Sequence, residues 1–225
     1  MSGDVLQRAR LQSGLTQVEA ARKLGVSQTL LSLMEKGKRS VTFAVAVRAV
    51  ELLHASPVDL PLSDRRHSSD NQLAGELGAL GYPGFSHLYG ALRNPAEVLF
   101  DALNRTDLDA RVVEALPWLP LHFPKMNWTW LTAQARLHNR QNRLGFVIEL
   151  AVRAALRKNQ HELAKDLYRS GSALRESRLV RNDTLCQESW PPSQRLYAHL
   201  KRSKPAMYWK LDTRLTEKDL AYVSA

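Results

Sequence analysis

The 225-residue chain holds a single cysteine, Cys186, which excludes an intrachain disulfide and any cysteine-based zinc site. It lacks an apolar run long enough to span a bilayer. Its first residues, Met-Ser-Gly-Asp, lack the apolar core of a signal peptide. A cytoplasmic, nucleoid-associated protein is the expectation. Strands are scarce too, since no stretch alternates strongly enough to read as a sheet. Acid is also short. Lys and Arg number 32 against 22 Asp and Glu, a formal net charge of +10. An excess of positive charge favours polyanionic partners, because phosphate contacts supply most non-specific affinity for nucleic acid. Residues 1–62 carry eight Lys or Arg and five Asp or Glu, a net +3, so the remaining +7 lies beyond them.

What is present is concentrated in Leu15 to Gly37, LTQVEAARKLGVSQTLLSLMEKG. Thr16 precedes an apolar-periodic run and Glu19 follows three residues later, a capping box. Val18, Ala21 and Leu24 are assigned to one face, and Ala20 and Ala21 are small enough for a second helix to cross closely. Gly25 ends the first helix, being tolerant of positive φ. Val26 plugs the turn. Ser27 caps a second helix over about residues 28–36, with Leu31 and Met34 inward and Gln28, Thr29 and Ser32 outward. Gly37 stops it. Two short helices around a tight turn are how a helix-turn-helix presents a recognition helix to the DNA major groove.

The residues Gln17, Ala21, Gly25, Val26, Ser27, Gln28, Leu31, Glu35 and Gly37 stand in a spacing that resembles the Xre/Cro/C1 family of helix-turn-helix regulators, the lambdoid-repressor type. The resemblance runs from about Val5 to Leu60 and ends on Pro57-Val58-Asp59-Leu60, similar to the family's short closing turn. It implies a bacterial or phage regulator that binds double-stranded operator DNA as a homodimer. It implies that Gln17 caps a phosphate contact and packs against Gln28, and that Gln28, Thr29 and Ser32 face base edges. Glutamine pairs bidentately with adenine, which gives that implication a physical reason. Ser27, Lys38 and Arg39 complete the expected DNA-facing set. Arg10 is expected to pair with Glu35, tying the first helix to the recognition helix. Leu33 departs from the family's usual polar residue. It either touches a thymine methyl or packs, with Leu30, against another part of the protein.

The expected fold class is all-α, with a five-helix lambda-repressor-like domain over 1–62, a polar linker over 63–72 (SDRRHSSDNQ) and a helical partner-binding or dimerisation domain over 73–225. Gly-Tyr-Pro-Gly at 81–84 signals a turn within a Gly- and aromatic-rich stretch. Asn94 can cap a helix from Pro95 with Val98, Leu99, Ala102 and Leu103 inward. Further helices are expected over 109–116, from Asn127 (holding Leu131, Ala135 and His138), over 142–158 and over 161–174. The prolines at 117, 120 and 124 interrupt the run. Short helices are expected over 193–201 and 216–222. The pair around Asn159 reads as a helical hairpin. No fixed period accompanies it, so a compact bundle is favoured over a solenoid.

No constellation beyond the linker carries catalysis, and no cofactor or metal is expected. His122, His138 and His161 lack ligand spacing. Cys186 has no helper in sequence. Trp118, Trp128 and Trp130 read as core rather than as a stacking platform. Arg136, Arg140 and Arg143 would share a face if one helix ran through them, either a solvated face or a grip on phosphates or an acidic partner. Ala74-Gly75 matches the bond cut in self-cleaving repressors, but those need a Ser-Lys dyad on a β-rich scaffold.

The stretches EALPWL at 114–119, LHNRQNRLGFV at 137–147, DTLCQES at 183–189 and MYWKLDTRLTEKDLAYV at 207–223 are similar to antitoxin-regulators paired with a nucleotidyltransferase-like toxin of the abortive-infection type. That resemblance implies an autorepressing antitoxin whose C-terminal domain binds a cognate toxin. The alternative is a repressor whose C-terminal domain senses a small molecule.

Overall fold

The computed structural model describes residues 1–62 and 69–223. It divides into two compact units, Met1–Arg65 with Leu92–Asn94, and Arg66–Ala91 with Pro95–Ala225. Both are helical, as expected.

The first unit contains α1 (Gly3–Gln12), α2 (Gln17–Leu24), α3 (Gln28–Glu35) and α4 (Phe43–Leu53). The fifth expected helix is a single 3-10 turn, Pro57–Asp59. Each α-helix starts on a hydroxyl: Ser2, Thr16, Ser27 and Thr42 accept from the backbone N–H three residues on. At Thr16 the backbone N–H donates in return to the Glu19 carboxylate, which completes the capping box. Gly25 closes α2 at φ +66, and the guanidinium of Arg48 on α4 donates to the last carbonyl, Leu24 O, at 2.8 Å. Leu6, Ala9, Ala20, Ala21, Leu24, Leu31, Met34, Val45, Ala49 and Leu53 form the core. Val18 is a correction, since it is 54% exposed. Gln17, Ala20, Ala21 and Leu24 define the inward face of α2. At about 100° per residue, Val18 lies roughly 110° round from its centre. Asn94 belongs with this unit: its amide donates to Val58 O at 3.0 Å and Leu60 O at 2.8 Å.

The second unit begins earlier than the sequence suggested. Of the expected linker, residues 63–68 lie outside the described residues, and Asp70, Asn71 and Gln72 form the first turn of α5 (Asp70–Ala79). Ser69 and Gln72 make a capping box there. Polar residues gathered to start a helix read in sequence as a linker. Ala74 and Gly75 lie inside this helix, buried. A 3-10 turn at Pro83–Phe85 follows, as Gly-Tyr-Pro-Gly signalled. Next come α6 (Pro95–Leu103), α7 (Ala110–Ala115), α8 (Trp118–His122), α9 (Trp128–Leu137), α10 (Gln141–Arg157), α11 (His161–Ser170), α12 (Ser172–Glu176), α13 (Pro192–Leu200) and α14 (Lys204–Tyr208).

Central to the unit is α10. It is buried on almost every side and packs against α8, α9, α11, α12 and α14. Leu144, Phe146, Val147, Ile148, Leu150, Ala151, Val152, Ala154 and Ala155 supply its apolar contacts, and the polar residues of its first turn, Gln141, Asn142 and Arg143, are buried on hydrogen-bond partners. Gly145 lets the indole of Trp209 lie directly on its backbone; a Cβ there would collide with the ring. The α10–α11 hairpin turns at Asn159, held at φ +56.

Four expectations need correction. His138 is exposed and follows the end of α9, with its ring against Phe100. The helix expected over 161–174 breaks at Gly171. Residues 216–220 make a turn in which Asp219 accepts from Thr216 N and Oγ1, and only a 3-10 turn at Ala221–Val223 follows. A two-residue parallel ladder pairs β1 (Asp183–Thr184) with β2 (Leu211–Asp212), too short to show alternation.

Candidate functional site

The candidate site is the outer face of α3. Leu31 and Met34 are 0% and 2% exposed, which fixes the helix by its inner side. Gln28 and Thr29, in its first turn, are exposed, Ser27 before them is exposed, and Ser32 is half-buried one turn on. Side chains at the start of such a helix reach base edges when it enters a major groove. Lys36, Lys38 and Arg39 are exposed just beyond its end. The backbone N–H groups of Lys38 and Arg39 both donate to Leu33 O, at 2.9 and 3.2 Å, which holds that turn. Leu30 packs on the core, whereas Leu33 is half-buried.

The helix is anchored by charge as well. Arg10 on α1 is 8% exposed and Glu35, the last residue of α3, is 4% exposed. Arg10 Nε donates to Glu35 Oε1 at 2.6 Å, its Nη2 to Oε2 at 3.3 Å and its Nη1 to Leu15 O at 2.9 Å. Gln17 Nε2 adds a third donor to Glu35 Oε2 at 2.8 Å. The amide of Gln17 therefore binds the end of α3 directly, a contact the sequence did not indicate. Its position on α2, half-buried at the α3 junction, follows from the inward face described above. A buried carboxylate with three donors is compensated, and it locks three helices at one point.

The second unit holds a cluster the sequence also concealed. Arg136, Arg140 and Arg143 do not share a helical face, because α9 stops at Leu137, Asn139 turns at φ +56 and α10 starts at Gln141. Arg143 is fully buried, which excludes it as an outward grip on phosphates. Its Nε and Nη2 donate to the two oxygens of Asp183 at 2.8 Å each, and Nη2 also donates to Glu188 Oε1 at 2.8 Å. Its Nη1 donates to Leu103 O and Arg105 O. Arg143 thus pins the 183–188 segment to the start of α10 and the end of α6. Cys186 lies against it, Nη1 to Sγ 3.6 Å, and burial pushes the thiol up to about 11, although the Arg143 charge opposes this. The thiol is neutral and inert at neutral pH. Arg136 donates to Ser177 Oγ and Ala173 O.

Around this cluster opens a polar cleft of about 540 Å³, lined by Arg140, Arg181, Asp183, Glu188, Arg195 and Asp212 among others. The tryptophans take no part in it. Trp118 is core, stacked on His122 and edge-on to Tyr82, and Trp128 donates its indole N–H to Pro124 O. His122, His138 and His161 stand on separate segments, and no group of three potential metal ligands occurs among the described residues. Among these residues, no helix is long and apolar enough to cross a membrane.

Residues 3–62 match a protein-family model described as a helix-turn-helix domain. No curated protein and no solved structure matches the chain. Its N-terminal unit is accordingly a helix-turn-helix domain, the module of DNA-binding regulators.

Proposed function

We propose that this protein is a sequence-specific transcriptional regulator of the Xre/Cro/C1 type that represses its own operon. The observation that carries the reading is the exposed start of α3, with Gln28 and Thr29 outward on a helix held from behind by Leu31, Met34 and the Arg10–Glu35 pair. Gln28 reads a base edge, most naturally adenine, with Thr29 and Ser32 beside it. Ser27, Lys38 and Arg39 position the helix through phosphates, Gln17 supports it from behind through Glu35, and Leu33 lies against a thymine methyl. A homodimer reads two half-sites about one helical turn apart.

The second unit binds a partner protein in this reading, a cognate toxin, so that the chain acts as antitoxin and autorepressor. Leu196 and Leu200, one turn apart on α13, are 59% and 71% exposed, and Met207 and Tyr208 on α14 are also exposed, apolar surface suited to a protein partner. A second reading, sensing of a small molecule that alters operator affinity, is favoured by the polar cleft of about 540 Å³.

The experiment is fluorescence anisotropy of the full chain on duplex DNA from upstream of its own gene and on a shuffled duplex. Preference for the upstream duplex, with a two-half-site footprint, supports the reading; equal affinity for both removes sequence-specific autorepression. Co-purification with the product of the adjacent gene then tests the antitoxin role.

A further inference from the structure

The cleft over Arg143 has an uneven charge arrangement. Each acid on its wall has a cation behind it, although Asp183 and Glu188 share the single charge of Arg143. Asp183 and Glu188 are held by Arg143 at 2.8 Å. Asp212 Oδ1 accepts from His199 Nδ1 at 2.8 Å and lies 3.4 Å from Arg202 Nη1. The arginines that face the cleft are held less closely. Arg140 is half-buried, yet its Nη1 lies 3.7 Å from Asp183 and 3.8 Å from Glu188, and its Nε reaches only Asn104 Oδ1 at 3.4 Å. Burial and the neighbouring Arg143 lower the affinity of this guanidinium for its proton by more than Asp183 and Glu188 restore. Arg195 donates to one neutral carbonyl, Glu188 O, and Arg181 makes no hydrogen bond or ion pair among the described residues.

Arg181 and Arg195, which have no carboxylate partner among the described residues, and the loosely paired Arg140 line one opening, and planar guanidinium forks match phosphate oxygens in pairs. The remaining lining narrows the ligand. Glu188 and Asp212 engage these partners through Oε1 and Oδ1 alone, which leaves carboxylate oxygens to accept hydroxyl protons. Asn182 and Thr184 are polar, and no aromatic or aliphatic residue lines the cleft. A nucleobase would have no apolar wall to stack on. A volume of about 540 Å³ is that of a small-molecule site.

We propose that this cleft binds a small hydroxyl-bearing phosphate ester, of the sugar-phosphate class, with Arg140, Arg181 and Arg195 on the phosphate and Glu188 and Asp212 on hydroxyls. The assignment deepens the small-molecule reading of the second unit and depends on that reading only for its regulatory meaning.

The test is isothermal titration of the full chain with ribose 5-phosphate, ribose and inorganic phosphate, repeated with the Arg181→Ala/Arg195→Ala double variant and with Arg181→Glu. All three substitutions are on exposed residues, and circular dichroism checks the fold. The expected result is binding of ribose 5-phosphate, tighter than either component, and weakened about tenfold or more in both variants, the loss for a charge-assisted contact. Absence of binding, or binding unchanged in both variants, overturns the site. Inorganic phosphate binding as tightly as ribose 5-phosphate overturns the hydroxyl half and reduces the cleft to an anion hole. Displacement of ribose 5-phosphate by a shuffled duplex makes the cleft a DNA-backbone contact and overturns the small-molecule assignment. Operator affinity measured on the same variants separates this site from the reading of DNA by α3: the variants are expected to lose the ligand and keep the operator.

Discussion

Glu35 is the residue on which the geometry of the first unit converges. It ends α3 and accepts from Arg10 and Gln17, so that α1, α2 and α3 meet at one carboxylate. Such a pair need not add stability relative to an apolar core, but breaking it leaves a buried charge without a partner. Glu35→Ala strands Arg10, and the cost expected is about 3–5 kcal/mol. Thermal unfolding of the full chain should show an early transition, with hydrogen exchange accelerated in α1 and α3 and unaltered in α10. An unchanged melting profile would show the pair to be dispensable. Arg10–Glu35 was legible in the sequence through the resemblance. The Gln17 contact was not, since a glutamine amide serves a phosphate or a carboxylate equally well and only the fold says which lies within reach.

At the scale of elements, helices with a clear apolar period were readable. Asn127 accepts from Trp130 N at the start of α9, and α6 begins at Pro95 with Val98, Leu99, Ala102 and Leu103 buried. What escaped was decided by long-range packing. The α5 cap at Ser69 sits in polar sequence indistinguishable locally from a linker. The β1–β2 ladder joins residues nearly thirty positions apart through two residues on each side. Arg143 reads as a surface arginine until Asp183 and Glu188 are brought to it. Gly145 is another such residue: within an apolar helical run it reads as a weak point, and its role depends on Trp209. Gly145→Ala should therefore destabilise the second unit despite the better helix propensity of alanine, by about 1–3 kcal/mol as for overpacked cores. The midpoint of denaturant unfolding, followed by tryptophan fluorescence, measures it. A stabilised variant would mean that Trp209 yields easily.

For the whole molecule, the charge distribution poses a question that salt answers. The net +7 beyond residue 62 exceeds the +3 of the helix-turn-helix region, so bulk charge alone does not place DNA binding on one part of the chain. In the proposed mode of binding, the operator phosphates are met by Lys38 and Arg39 beside α3. Lys38→Ala should reduce the slope of log affinity against log salt by about one. A Lys201→Ala/Lys204→Ala variant, which removes two exposed charges from the second unit, should leave that slope unchanged. A loss of slope in the second variant would place phosphate contacts on the C-terminal unit.

In the proposed mode of binding, operator recognition rests on α3 reading sequence through its exposed first turn. The most direct measurement is the affinity of Gln28→Ala, against that of the parent chain, for the upstream duplex and for a shuffled duplex at one fixed salt concentration. Gln28 contributes nothing to the core, so the variant should fold and melt as the parent does. Its affinity for the upstream duplex is predicted to fall by about 1–3 kcal/mol, with binding to the shuffled duplex unaltered. Equal affinity of variant and parent for the upstream duplex would contradict this mode of recognition and take Gln28 out of the readout.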